Sequence, residues 1–222
     1  TPLALIQAQL DLYQASENPD NEKVAQETIQ MVAEQNERLS KLVRTLLDMS
    51  ELQTVARSDK IELCGLIEEV LADLEPLAQE KGVTLIQKWQ SAIDEKEENT
   101  GTGLMLPGSD ILIYRMLYNL VENAIKYNHA RGKVTISAER KGKEVVLTVA
   151  DTGNGIDEIF REQIFEPFFR VDKSRSRELG GVGLGLAMVR EIVRVHDGKI
   201  EVHENEQGGT IFEVKMSMEG KK

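Results

Sequence analysis

The sequence predicts an α+β chain: an N-terminal antiparallel helical hairpin followed by an α/β sandwich with helices over a mixed sheet. Three observations predict it. The first 64 residues contain no glycine, and all 17 glycines stand at Gly65 or beyond. Apolar residues in that first stretch recur at spacings of three and four, the period of a helix face. Beyond it, helical stretches alternate with short β-rich runs bounded by turn signals, the order that builds a layered α/β domain.

Leu3, Ile6, Leu10 and Tyr13 form the stripe of a first helix. Asn18-Pro19-Asp20 is turn chemistry, with Asp20 a candidate cap for a second helix running to about residue 55. Leu39, Leu42, Leu46 and Met49 continue the stripe, and Val43 and Leu47 widen it beyond a two-stranded seam. A single hairpin leaves much of this surface exposed, so two hairpins are expected to pair as a dimeric four-helix bundle. Residues 54–60 read as a polar connector, which sets the domains at 1–57 and 58–222. Next come an amphipathic helix over 63–80, a strand over 83–89, a polar acidic loop over 91–103 and a helix over 111–127. Strands over 134–139 and 145–150 flank Lys141-Gly142-Lys143, a hairpin signal. A helix over 184–195 and strands over 199–203 and 210–216 complete the sandwich.

Composition narrows the function. With 27 basic and 38 acidic residues the net charge is −11, which argues against a nucleic-acid binder or a basic membrane-surface protein. The single cysteine, Cys64, excludes an internal disulfide framework and a cysteine-rich zinc site. No apolar run approaches the roughly 18 residues of a membrane span. Of the three histidines, His129 sits in a predicted turn, His196 at a helix end and His203 on a strand, none with metal-ligand spacing.

Five short patterns carry chemistry. Asn119 and Asn123 are four apart on one helix, with Lys126 and Tyr127 three and four residues further on. That face offers amide oxygens for Mg²⁺, an ammonium for phosphate and a ring for a base. Asp151-Thr-Gly-Asn-Gly-Ile156 follows an apolar strand: a carboxylate that accepts an exocyclic amine, then glycines that let backbone approach a flat ligand. Phe165-Glu-Pro-Phe-Phe-Arg170 concentrates three of the five phenylalanines before the charged run 172–178. Gly180-Gly-Val-Gly-Leu-Gly185 precedes a helix and offers backbone N–H groups to an anion. Gly208-Gly-Thr210 opens the last strand. Taken singly, each is also what a polar helix face, a β-turn or a loop anchor contains. No Rossmann fingerprint or P-loop is present, so a nucleotide would be held by a third architecture.

Together and in this order the patterns resemble the catalytic core of two-component sensor histidine kinases, over essentially the whole chain. Residues 119–127 resemble the N box, 151–156 the G1 box, 165–169 the F box, 181–186 the G2 box and 208–210 the last glycine box. The resemblance implies a Bergerat-type ATP-binding domain behind a dimerisation hairpin. Asn123 would be the Mg²⁺ ligand, Asn119 and Lys126 would contact phosphates, and Tyr127 would line the pocket. Asp151 would hold the adenine amine, with Gly153 and Gly155 admitting the base. Gly183 and Gly185 would turn amides toward the phosphates, and Thr210 would touch the adenine side. Ile156, Phe168, Arg170, Gly181, Val182, Leu184 and Leu186 would lie around the nucleotide. A lid over about 156–183 would order on nucleotide, anchored by Phe165, Phe168 and Phe169.

In gyrase- and Hsp90-type ATPases of this fold a glutamate stands four residues before the magnesium asparagine. Here that position is Asn119, and Glu122 is expected to lie off that face, which favours a kinase. The family's phosphoacceptor histidine precedes a Thr-Pro pair by four residues, and this chain opens at Thr1-Pro2. The expectation is that the chain binds MgATP without phosphorylating itself, and that Thr1 resembles the family's phosphatase threonine. The intact protein would pass phosphate from that upstream histidine to an aspartate in a response-regulator receiver domain. It would be a homodimer, and membrane attachment would come only from upstream segments, the chain itself being cytoplasmic. Two other readings stay open: a non-catalytic docking module that uses ATP as a conformational switch, and a serine kinase or ATPase of the same fold.

Overall fold

In a computed structural model of the chain, residues 2–14, 22–52, 54–89, 104–171 and 183–219 are described. The expected turn at Asn18-Pro19-Asp20, the loop over 91–103, the charged run 172–178, Thr1, Gly181 and Val182 lie outside the described residues. Helix α1 (Pro2–Gln14) packs against the long α2 (Glu22–Glu51). Their apolar stripe stays largely open in the single chain: Leu3 is 62% exposed, Leu46 46% and Leu47 56%. At the end of α2, Leu52 is buried in the core of the remaining chain, with Met49 and Val55 packed beside it.

That core is an α/β sandwich. Strands β2 (Thr84–Trp89), β4 (Lys133–Lys141), β5 (Glu144–Asp151), β7 (Thr210–Ser217) and β6 (Lys199–Glu204) form one sheet in the order β2-β4-β5-β7-β6. β2 runs parallel to β4, and the other neighbours are antiparallel. Alternation decides the faces. Val134, Ile136 and Ala138 of β4, Val145, Leu147 and Val149 of β5, and Phe212, Val214 and Met216 of β7 are all buried in the common core. The opposite face carries Ser137, Thr148 and Glu213 in register, with Lys215 Nζ 2.7 Å from Glu213 and 3.0 Å from Glu201.

Helices α3 (Leu63–Lys81), α4 (Asp110–Lys126) and α5 (Gly185–Val195) cover the apolar face. α3 starts where the Glu62 carboxylate accepts the Cys64 and Gly65 amides, and it stops at Gly82, whose φ of 65° is left-handed. A two-stranded ribbon pairs β1 (Asp59–Glu62) with β3 (Met105–Gly108). The connector expected over 54–60 therefore ends in a strand, and β3 was not anticipated either. Four-residue strands carry too little alternation to be seen locally; long-range pairing makes them. Among the described residues, no helix is long and apolar enough to cross a membrane.

Candidate nucleotide-binding site

The site forms where α4, the N-terminus of α5 and the β5 end of the sheet meet. α4 buries Leu112, Ile113, Met116, Leu117, Leu120, Val121, Ala124 and Ile125. Asn119, Glu122, Asn123 and Lys126 are left half-buried on the remaining sector. Asn119 Nδ2 donates to the Arg115 carbonyl at 2.8 Å, so its Oδ1 faces away from the helix. The first residue of α5 lies against it. A methyl on Gly185 would stand 2.7 Å from Asn119 Oδ1 and 3.9 Å from Asn123 Nδ2. Glu122 is not off this face: its carboxylate holds the Lys126 ammonium at 2.7 Å, and each side chain is 19% exposed. Position 122 is three beyond Asn119 and four before Lys126, which keeps it inside the polar sector.

α5 begins without a side-chain cap, so its first N–H groups have no partner within the helix, a ready anion seat. Leu184 is buried and Leu186 packs on the core, which leaves their main-chain N–H groups for a ligand. The turn before α5 is joined to the phenylalanine segment. Phe168 N–H donates to the Gly183 carbonyl at 2.8 Å, and Gly183 has φ +78°. A methyl there would lie 2.8 Å from the Phe169 carbonyl. Phe165 is buried edge-on to Phe212, and Phe169 packs on Phe160. Phe168 is 56% exposed, with φ 68°. Two of the three expected anchors thus face inward and the third faces solvent.

At the other end, Asp151 closes β5 and is 7% exposed. Its Oδ1 accepts the Gly153 amide at 2.7 Å and the Thr210 amide at 3.3 Å. Among the described residues nothing donates to Oδ2. Burial pushes this carboxyl above the usual aspartate range, while the two amides and the nearby His129 oppose the shift. Gly153 fits because a methyl would come within 2.4 Å of the Tyr127 carbonyl, which also accepts the Asn154 amide at 3.3 Å. The end of α4 and the turn after β5 are thus one junction. Burial raises the Tyr127 phenol, and the Arg170 charge beside it works against that. Gly155 has φ +72° and packs on Gly209, Ile156 packs on the core, and Thr210 is buried.

Three polar residues escaped the sequence reading. Asn128 donates to the Lys133 carbonyl and accepts the Thr152 hydroxyl, and Asn205 donates to the Asp151 carbonyl. Asn and Thr in turns are ordinary turn formers, so nothing local marked them. His196 and His203 are engaged away from the site. His196 bonds Ser109 and Ile192, His203 lies 3.9 Å from Glu201, and His129 is exposed.

A family model of the histidine kinase-, DNA gyrase B- and HSP90-like ATPases matches residues 108–220, just over half of the chain. The chain is 33% identical over 185 residues to the sensor histidine kinase RppB of Synechocystis sp., covering 83% of this chain and 39% of that protein. It is 29% identical over 214 residues to the signal transduction histidine-protein kinase ArlS of Staphylococcus aureus, covering 96% and 45%. It therefore spans less than half the length of these two relatives. The nucleotide-free catalytic domain of histidine kinase ThkA superposes with a TM-score of 0.61 at 27% identity, over 72% of this chain and 95% of that one. ThkA in complex with response regulator protein TrrA shares the fold over 99% of this chain and 58% of that one, with a TM-score of 0.70 at 23% identity.

Proposed function

Since the chain belongs to the histidine kinase-, DNA gyrase B- and HSP90-like ATPase family, as a catalytic core of the two-component histidine kinase type, we propose that it binds MgATP between α4, α5 and the β5 end, and that it is the part of a sensor kinase that delivers the γ-phosphoryl group. The observation that carries this reading is the convergence at Gly185: an uncapped helix N-terminus set against two asparagine side chains, with a buried carboxylate at the far end. Asn123 supplies an amide oxygen of the kind Mg²⁺ takes, and magnesium, when bound, neutralises phosphate charge. Asn119, Lys126 and the amides of Gly183 and Gly185 face the phosphates. Tyr127 and Arg170 border the sugar side. Asp151 accepts the adenine amine through Oδ2, with Gly153, Gly155 and Thr210 shaping the slot. Phosphoryl transfer on such a site rests on positioning and charge stabilisation.

Kinase chemistry is favoured over clamp-type hydrolysis because position 119 is an asparagine and the carboxylate on the same helix sector, Glu122, is spent on Lys126. The phosphoacceptor is a histidine other than His129, His196 and His203, none of which stands four residues before a Thr-Pro pair, and the final acceptor is an aspartate of a response regulator. Residues 1–57 form the dimerisation half, whose exposed stripe a second hairpin buries, and residues 58–222 form the ATP domain. Asn123→Ala tests the site. Calorimetry should show loss of Mg²⁺-dependent ATP binding with an unchanged circular dichroism spectrum; unchanged affinity refutes the metal assignment.

A further inference from the structure

Asp151 stands just past the end of the β5–β7 pairing, while β4 still holds it opposite Val134. The pairing of β5 with β7 stops at Ala150 opposite Ile211, so no strand amide of β7 pairs with the Asp151 carbonyl. A side chain takes that place: Asn205 Nδ2 donates to the Asp151 carbonyl at 2.7 Å. The orientation of this amide is determined, because its Oδ1 accepts the Gln207 amide at 3.1 Å, which leaves only the NH₂ end for Asp151. The Asn205 main chain closes the same turn, with Gly208 N–H on its carbonyl at 2.8 Å and its own N–H on the Gly209 carbonyl at 3.2 Å. Gly209, at φ +93°, presses so close that a methyl would sit 2.2 Å from the Asp151 carbonyl and 2.6 Å from Oδ1. The β6–β7 turn therefore grips Asp151 twice, by its carbonyl through Asn205 and by its carboxylate through the Thr210 amide. Rotation about the Asp151 backbone would swing Oδ2 away from the slot, and the Asn205 bond opposes that rotation.

We propose that Asn205 is a positioning residue that sets the base specificity of the site, by locking the Asp151 main chain so that its free carboxylate oxygen meets the exocyclic amine of adenine. This rests on the Asp151 reading above. The test compares MgATP with the magnesium complex of purine riboside triphosphate, which lacks that amine, by calorimetry on the full chain. The parent should prefer ATP at least tenfold. Asn205→Ala should lower the preference at least fivefold while binding purine riboside triphosphate within twofold of the parent. Asn205→Ser, whose hydroxyl can donate to the same carbonyl, should recover part of the preference, and it substitutes for the alanine variant if that one does not fold. A preference within twofold of the parent's in Asn205→Ala, or a parallel loss of both nucleotides, overturns the proposal. A parent chain that binds both nucleotides equally refutes the Asp151 assignment itself.

Discussion

His196 gives the fold a pH dependence that can be worked from its two hydrogen bonds. Its Nδ1 lies 2.8 Å from the Ile192 carbonyl, and its Nε2 accepts the Ser109 amide at 3.1 Å. One nitrogen must donate and the other accept, so the ring is neutral in the folded chain. It ties the C-terminal end of α5 to the residue that precedes α4, the two helices that frame the site. Burial lowers its pKa from the ordinary 6.5; the Arg57 charge adds to the lowering, and the Ile192 carbonyl and Asp197 oppose it. The depressed group contributes stability that is present above pH 6.5 and is lost as pH falls through its folded value. Protonation turns Nε2 into a second donor facing the Ser109 N–H, which is buried; stranding such a donor costs about 1–3 kcal/mol. One proton changes stability by at most about 1.4 kcal/mol per pH unit, so the ceiling between pH 6.5 and 5.0 is about 2 kcal/mol. For a chain of this size that ceiling is a fall of about 4–8 °C in melting temperature. The assay is circular dichroism melting from pH 7.5 to 5.0 for the parent and for His196→Gln, which cannot titrate. The parent should lose that much more than the variant on acidification. Parallel curves would refute the latch.

Two further outcomes follow from contacts in the site. Gly185→Ala places a methyl 2.7 Å from Asn119 Oδ1, while the bond to the Arg115 carbonyl holds that side chain in place. Nucleotide affinity by calorimetry should fall about tenfold or more, about 1.4 kcal/mol; unchanged affinity would show that the Asn119 amide takes no part in binding. Glu122→Gln removes the carboxylate that holds Lys126. ATP should then bind about threefold to tenfold tighter at low salt, with a smaller gain for ADP and a smaller gain at high salt; equal or weaker ATP binding at low salt would show that Glu122 does not compete with phosphate.

What could be read locally was what local physics decides. The stripes of α1 and α2, the helix over α4 and the alternation of β4, β5 and β7 each follow from a period that a short window contains. The candidate asparagines were legible for the same reason, because a helix puts positions 119, 123 and 126 on one side whatever surrounds it. The phenylalanine segment was readable as an anchor but not residue by residue. Phe168 turns outward only because its N–H is drawn to the Gly183 carbonyl in a left-handed bend.

The sequence by itself determined the class of the chain, the order of its longer elements and the residues proposed to face a nucleotide, since composition, periodicity and motif spacing are properties of the chain alone. Only the tertiary structure decided how those residues are held. The β1–β3 ribbon joins residues more than forty positions apart, Glu122 occupies Lys126, Asn128 and Thr152 join the end of α4 to the turn after β5, and Asn205 reaches across 54 positions to Asp151. Apart from the Glu122–Lys126 pair, a helix neighbour, these contacts join residues that no sequence period relates. The reason is that a buried carbonyl or carboxylate must find a partner wherever the packed chain supplies one.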